Sequence, residues 1–211
     1  MSLLHKLEWR YATKKFDPTK EVPEEQVTEL LKAMNLSASS YGLQPYKFIV
    51  VKDKNLQEQL VDASYGQEKI ANASHVIVIA AKTSVGEDDI RAYINQTAFL
   101  RKQQIEELED QKSRIMSSVS SWSEEKKFSW AQEQCYIVLG TLLLAAADAK
   151  IDACPMGGFE PEKYNHMLGL KEHGLHATVI AAIGYRSIDD DYQHAIKSRR
   201  DLDDIVELRY S

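Results

Sequence analysis

Cysteines, metal-ligand motifs and long apolar runs are scarce or absent in this chain of 211 residues. Its two cysteines, Cys135 and Cys154, lie far apart in sequence and form no CxxC or histidine-flanked ligand set. We therefore interpret them as buried, reduced thiols, as in a reducing cytoplasm. None of the six histidines has a metal-ligand spacing such as HExxH. The sequence thus predicts no metal site.

Motifs for a protein nucleophile or a dinucleotide fold are also missing. There is no GxSxG elbow and no Walker loop, and Gly157-Gly158 is not part of a GxGxxG fingerprint. His75 opens an apolar run, which is more typical of a packed residue than of a general base. A chain without its own nucleophile or base suits a protein whose cofactor performs the chemistry.

The charge balance and the apolar runs exclude two further classes of partner. The net charge is -6 and the sequence pI is about 5.6, which disfavours nucleic acid and anionic membrane surfaces. The longest apolar run, residues 137–147, is too short to cross a bilayer and contains Gly140 and Thr141. The N-terminus lacks the apolar core of a secretory signal. We therefore expect a cytoplasmic protein that binds neither nucleic acid nor membrane.

Helical and strand patterns alternate along the chain and predict an α+β fold, with a mixed central sheet wrapped by helices in one domain over residues 1–211. The β-branched run at 75–81 indicates a central strand buried on both faces. Further strands are predicted at 48–51, 177–183 and 205–208. Helices are predicted at 3–7, from Pro23 to about 34, at 56–61, within 87–121 and over 124–149, where the centre is apolar on every side.

Two basic clusters interrupt this acidic chain. They are Arg10-Tyr11-Ala12-Thr13-Lys14-Lys15 and Lys197-Ser198-Arg199-Arg200. Runs of charge are usually solvated surface. Arginine and lysine beside hydroxyl groups are also the side chains that grip a phosphate. The residues alone leave both interpretations open.

Three other segments follow in a fixed order between the basic clusters. They are Ser37-Ala38-Ser39-Ser40-Tyr41-Gly42-Leu43-Gln44-Pro45-Tyr46, Tyr65-Gly66-Gln67-Glu68-Lys69, and Asp152-Ala153-Cys154-Pro155-Met156-Gly157-Gly158-Phe159. With these segments in place, the chain resembles the oxygen-insensitive, FMN-containing nitroreductases from about Arg10 to Arg200. Each motif is weak by itself, and their order and spacing carry the resemblance.

The resemblance implies a dimeric nitroreductase-like fold that binds FMN and uses NAD(P)H as electron donor. The acceptor would be a small molecule such as a nitroaromatic or a quinone, and FMN would lie at the interface of a homodimer. No side chain would be catalytic, because flavin N5 carries the hydride. The implied cofactor-binding residues are Arg10, Tyr11, Ala12, Thr13, Lys14, Ser37, Ala38, Ser39, Gln67, Lys69, Pro155, Met156, Gly157, Gly158, Lys197 and Arg199.

The resemblance also implies individual roles. Arg10 would hold the phosphate together with Lys197 and Arg199. Lys14 and Lys69 would tune the flavin from its pyrimidine edge, where Gln67 would read the polar groups of the ring. Residues 37–39 would cover the flavin of the other subunit, and the backbone of 155–158 would approach N5.

The substrate wall is matched least well. Tyr41 and Met116 are the residues we expect there, with Trp122 as a further candidate; for Met116 and Trp122, an ordinary helix-face position stays open. The chain has Ala12, Ala38 and Gly157 where some members of the family have Ser, Pro and Glu. The glycine removes a carboxylate near N5 and would alter the redox potential or the substrate preference.

Two alternatives of other classes remain at this point. One is a non-redox sensory protein that binds a flavin or another nucleotide through its basic clusters. The other is a different flavin reaction on the same scaffold, such as dehalogenation or flavin breakdown, because a fold does not fix a function. If the nitroreductase interpretation holds, donor and acceptor should share one cavity in a ping-pong order, since the chain has no separate dinucleotide fold.

Overall fold

Helices dominate residues 2–210, the part of the chain that this computed structural model describes. Eight α-helices occur there: α1 (Leu3–Trp9), α2 (Glu24–Asn35), α3 (Lys54–Asp62), α4 (Lys69–Asn72), α5 (Glu87–Arg101), α6 (Glu109–Ser120), α7 (Glu124–Asp148) and α8 (Pro161–Met167). Four strands accompany them: β1 (Tyr46–Val51), β2 (His75–Lys82), β3 (Asp152–Met156) and β4 (Leu175–Gly184). The predicted α+β class is confirmed.

Helix starts follow ordinary capping chemistry. The Ser123 side chain accepts a hydrogen bond from the Lys126 N–H at the start of α7, and two glutamates follow in its first turn. Asp53 caps α3 in the same way through the Leu56 N–H, at 2.8 Å. The predicted helices are therefore present, whereas the short helices α4 and α8 were not predicted.

The sheet has the strand order β1-β2-β4-β3, and each of its three ladders is antiparallel. Two isolated bridges tie residues 10–16 to the sheet: Ala12 to Ala153, which is parallel, and Phe16 to Arg186, which is antiparallel. The prediction of a strand at 205–208 is wrong. That stretch is irregular and exposed, since its apolar side chains pack against no other element of residues 2–210.

Two apolar cores lie on the two faces of the sheet. Alternate residues of β2 serve each core: Ile77 and Ile79 face one, while Val76 and Val78 face the other. The first core is completed by α2, α5, α6 and α7, and the second by α3, α4 and α8. The strand predicted to be buried on both faces is thus confirmed, and it pairs with β4, which in turn pairs with β3.

Helix α7 was predicted to be apolar on every side, and the structure buries only part of its circumference. Val138 and Leu142 are completely buried in the first core. Ile137 remains 47% exposed and Leu144 38% exposed, and Gly140 lies between them on the same stripe. In residues 2–210, no helix has the combination of length and apolar character needed to cross a membrane.

Candidate functional site

The two basic clusters meet at one cavity of about 320 Å³. Its lining residues are Arg10, Tyr11, Ala12, Lys14, Tyr192, Ala195, Ile196, Lys197 and Arg199. The Lys197 ammonium also donates a hydrogen bond to the backbone carbonyl of Glu8, across a sequence separation of 189 residues. Residues that are far apart in sequence therefore present four cations, Arg10, Lys14, Lys197 and Arg199, to one pocket.

The cations of this pocket perturb one another. Burial lowers the pKa of Arg10, and the nearby Arg199 lowers it further. Burial likewise lowers the pKa of Lys197, with additional contributions from Arg10 and Arg199. A bound anion would relieve this mutual repulsion. The donor set thus fits a phosphate group, which both side-chain types bind well.

A buried carboxylate joins the two segments that carry these cations. Asp190 Oδ2 accepts hydrogen bonds from the Tyr11 hydroxyl at 2.9 Å, the Lys14 N–H at 2.7 Å and the Lys15 N–H at 3.0 Å. Sequence reasoning missed this residue. It is the middle one of three consecutive aspartates, 189–191, and nothing in the sequence distinguishes the buried one from its exposed neighbours.

An ion pair lies behind the pocket. The Arg186 guanidinium contacts Asp152 Oδ1 through Nε at 2.8 Å and through Nη2 at 2.5 Å. The same guanidinium lies 4.4 Å from the ring centre of Trp9 and 4.6 Å from that of Tyr11, the geometry of cation–π contacts. Tyr11 thereby packs against Arg186, which follows β4, and Arg186 in turn pairs with Asp152 at the start of β3.

The other predicted residues of the N-terminal cluster have different surroundings. Thr13 is completely buried, and its hydroxyl has no hydrogen-bond partner among the described residues. The Lys14 ammonium lies over the Tyr192 ring, 5.4 Å from its centre. Lys14 thus stays at the cavity, whereas Thr13 is part of the packed interior.

Gln67 connects the turn before α4 to the segment after β3. Its Nε2 donates to the carbonyl of Ser64 and to the carbonyl of Gly158, both at 2.8 Å. Both amide hydrogens are therefore used within the protein, and Oε1 is left as an acceptor. Lys69 lies close by, with its ammonium 3.7 Å from Cys154 Sγ on β3.

Pro155 and Met156 end β3, and Gly157 and Gly158 follow directly after it. A Cβ built on Gly157 would meet only the Tyr136 hydroxyl, at 3.8 Å, and one on Gly158 would meet nothing within 4 Å. Open space therefore lies beside this backbone, as an approaching ligand requires.

The serine-rich loop lies elsewhere on the surface of the chain. The Ser37 hydroxyl is 2.9 Å from the Thr141 hydroxyl of α7, and Ser39 Oγ accepts from the Gln44 N–H at 3.1 Å. Ala38 between them is exposed. None of residues 37–39 lines the basic cavity. Within one chain, the structure therefore does not bring this loop to the cations.

The residues expected in the substrate wall differ in their position and burial. Tyr41 has a positive φ of 58°, and its hydroxyl is 2.9 Å from that of Ser118 on α6. Met116 and Trp122 are partly buried and pack against the first core. The exposed large apolar residues of α5 are Phe99, 79% exposed, and Leu100. Phe99 and Leu100 follow one another in the sequence, and sequence reasoning did not single them out.

No group of three or more histidine, cysteine, aspartate or glutamate side chains able to hold a metal ion occurs within residues 2–210. Cys135 and Cys154 are both buried and free, as predicted. Burial raises the pKa of Cys135 to about 12, so that thiol stays protonated.

Known proteins resemble this chain over nearly its whole length. The sequence profile of the nitroreductase family matches residues 7–185. The major NAD(P)H-flavin oxidoreductase of Aliivibrio fischeri is 32% identical over 214 residues, which cover 98% of each chain.

Two solved structures share the fold. A nitroreductase family protein from Streptococcus pneumoniae superposes with a TM-score of 0.84 at 24% identity, covering 99% of this chain and all of the other. A protein from Exiguobacterium sibiricum, described as a nitroreductase and solved in complex with FMN, has a TM-score of 0.83 at 20% identity and covers 99% of this chain and 98% of its own.

Proposed function

The chain belongs to the nitroreductase family, and from this premise we propose that it is an FMN-dependent oxidoreductase. It passes electrons from NAD(P)H to nitroaromatics, quinones or related acceptors. The observation that carries the proposal is the convergence of Arg10, Lys197 and Arg199 on one cavity, because this is a donor set for the FMN phosphate.

The remaining residues act on the rest of the cofactor. FMN supplies the hydride-accepting N5, so no protein side chain needs to be catalytic. Lys14 and Lys69 place positive charge where it stabilises an anionic ring. The free Oε1 of Gln67 can accept a hydrogen bond from a ring N–H. The open backbone at Gly157 and Gly158 leaves room for close approach.

Purified protein tests this function directly. Loaded with FMN and kept under nitrogen, it should be yellow and bleach on addition of NADH or NADPH, and a quinone or nitroaromatic should restore the colour. Steady-state kinetics should give parallel double-reciprocal lines, because donor and acceptor use one cavity in turn. Failure to take up FMN would refute the proposal, and intersecting lines would refute the shared cavity.

We further propose that the chain functions as a homodimer with FMN at the interface. Two apolar surfaces of the single chain support this: the stripe on α7 with Ile137 and Leu144, and the segment 195–210, where Ile196 is 97% exposed and Leu202 and Leu208 are also exposed. Exposed apolar area of this kind marks an interaction surface, and two-fold homodimers are the commonest solution. The partner's residues 37–39 would then cover the cofactor.

Light scattering at low micromolar concentration decides this point. A dimer should be found at twice the 24.0 kDa chain mass, with two FMN per dimer. A monomer that still holds FMN and turns over would contradict the shared site.

We also propose that residues 1–211 form one domain, since both cores share one sheet, and that the protein works in the cytoplasm, where its thiols stay reduced.

A further inference from the structure

Asp190 is the most completely satisfied charged side chain near the cavity. It is 1% exposed. Its Oδ2 accepts from the Tyr11 hydroxyl and from the N–H groups of Lys14 and Lys15, at 2.7 to 3.0 Å, and its Oδ1 accepts from the Tyr192 N–H at 3.2 Å. Four donors thus meet one carboxylate.

This carboxylate is ionised. Burial alone would raise the pKa of Asp190, but the hydrogen bonds from the Lys15 and Lys14 N–H groups, the Tyr11 hydroxyl and the Tyr192 N–H lower it overall. A negative charge beside an anion-binding cavity repels the anion. Asp190 therefore opposes phosphate binding through space, and a favourable effect on binding can arise only through the residues that it holds.

The donors to Asp190 come from both segments of the cavity wall. Tyr11 and Lys14 line the cavity and belong to the N-terminal cluster. Tyr192 also lines it and leads to Lys197 through the short 3₁₀ turn Asp191–His194. Capping that turn requires only Oδ1, whereas three donors from residues 11–15 meet Oδ2. Local capping of the turn therefore does not account for the contacts.

We propose that Asp190 is a positioning residue that holds residues 10–15 against residues 190–199, so that Arg10, Lys197 and Arg199 converge on one phosphate. It does not touch the ligand itself. This inference rests on the proposed function, because the phosphate is that of FMN.

The substitution Asp190→Asn tests the inference through the sign of its effect. It removes the repulsive charge, so a purely electrostatic role would make FMN bind more tightly. A positioning role should instead weaken FMN binding by on the order of tenfold to a hundredfold, since charged hydrogen bonds across the two segments are lost. Riboflavin, which lacks the phosphate, should bind variant and wild type equally. Both dissociation constants are measured by quenching of flavin fluorescence.

Asp191→Asn is the matched control. It removes the same negative charge from the neighbouring residue, whose side chain is exposed. It should leave FMN binding unchanged or slightly tighter. Tyr11→Phe is the second variant, and it removes one donor while keeping the charge of Asp190. It should also weaken FMN binding, and it should add little further loss in the Asp190→Asn background, because the two side chains form one contact.

The outcomes separate the two proposals. Wild-type protein that binds neither flavin overturns the proposed function. Wild-type protein that binds FMN, with Asp190→Asn equal or tighter, overturns the positioning role and leaves the function intact. If Asp190→Asn loses both flavins through misfolding, Tyr11→Phe decides, and unchanged FMN affinity in that variant overturns the inference.

Discussion

Replacing Asp152 with alanine should lower the free energy of unfolding more than replacing a residue of any exposed ion pair. The Asp152 carboxylate accepts from the Arg186 backbone N–H at 2.9 Å and from the Arg186 Nε at 2.8 Å. Arg186 Nη2 lies 2.5 Å from Asp152 Oδ1, and Asp152 is buried at the start of β3. In Asp152→Ala, the guanidinium would remain between the rings of Trp9 and Tyr11 without an anionic partner. The backbone N–H of Arg186 would also lose its acceptor.

The magnitude follows from the burial of the pair. Breaking a buried ion pair by removing one partner costs about 3–5 kcal/mol, because the other charge is left uncompensated. The Arg186 side chain is 19% exposed, so water can reach part of the guanidinium, and the expected loss lies at the lower end, about 3 kcal/mol. Arg186→Met in the same chain removes the orphaned charge and should recover part of this loss.

Urea unfolding at fixed protein and FMN concentration measures the effect, because a bound ligand and any self-association shift apparent stability. Glu29→Ala is the control: Glu29 pairs with Lys32 at 2.7 Å on the exposed face of α2, and such pairs contribute about 1 kcal/mol or less. A loss below about 1 kcal/mol for Asp152→Ala would refute the reasoning, since it would mean that solvent, and not Asp152, satisfies the guanidinium.

Three further outcomes are expected. Arg10→Ala and Arg199→Ala should each weaken FMN binding by roughly 1.5–3 kcal/mol, about one to two decades in the dissociation constant, and leave riboflavin binding unchanged. Arg200→Ala, at an exposed residue, is the control, and equal losses of FMN and riboflavin affinity would contradict the phosphate role. Burial lowers the pKa of His75 from 6.5, so unfolding takes up a proton there and thermal stability should fall as the pH drops below 6.5; His75→Gln should flatten that pH profile. Leu142→Ala should cost about 2–5 kcal/mol in urea unfolding, because this side chain is completely buried on α7.

Periodic segments of the fold could be predicted, and short or exposed ones could not. The run at 75–81 is β-branched and continuous, so its burial follows from the sequence alone. Strand β3 contains Pro155 and has only five residues, too few for a period to show. Residues 205–208, Ile-Val-Glu-Leu, have a composition typical of a strand, but no strand among the described residues pairs with them.

The candidate site also contains residues that the sequence could indicate and residues that it could not. Arg10, Lys197 and Arg199 could be proposed as one group because basic clusters are visible in an acidic sequence and occur in the order of a known family, and the structure places all three at one cavity. Asp190 and the Asp152 to Arg186 pair could not be found, because their partners are set by tertiary contacts. Met116 and Phe99 show the same limit, since only packing determines which apolar side chain of residues 87–122 turns inward.

The contact between Lys197 and the Glu8 carbonyl spans 189 residues, and this has a consequence for biosynthesis. A growing polypeptide presents Arg10 early, but the opposite wall of the cavity does not exist until residues 190–199 have left the ribosome. The sheet and both cores can form before that moment, because β4 ends at Gly184. On the proposed function, FMN can therefore bind only after residues 190–199 have been synthesised, and a nascent chain arrested before Asp190 should fold without binding FMN.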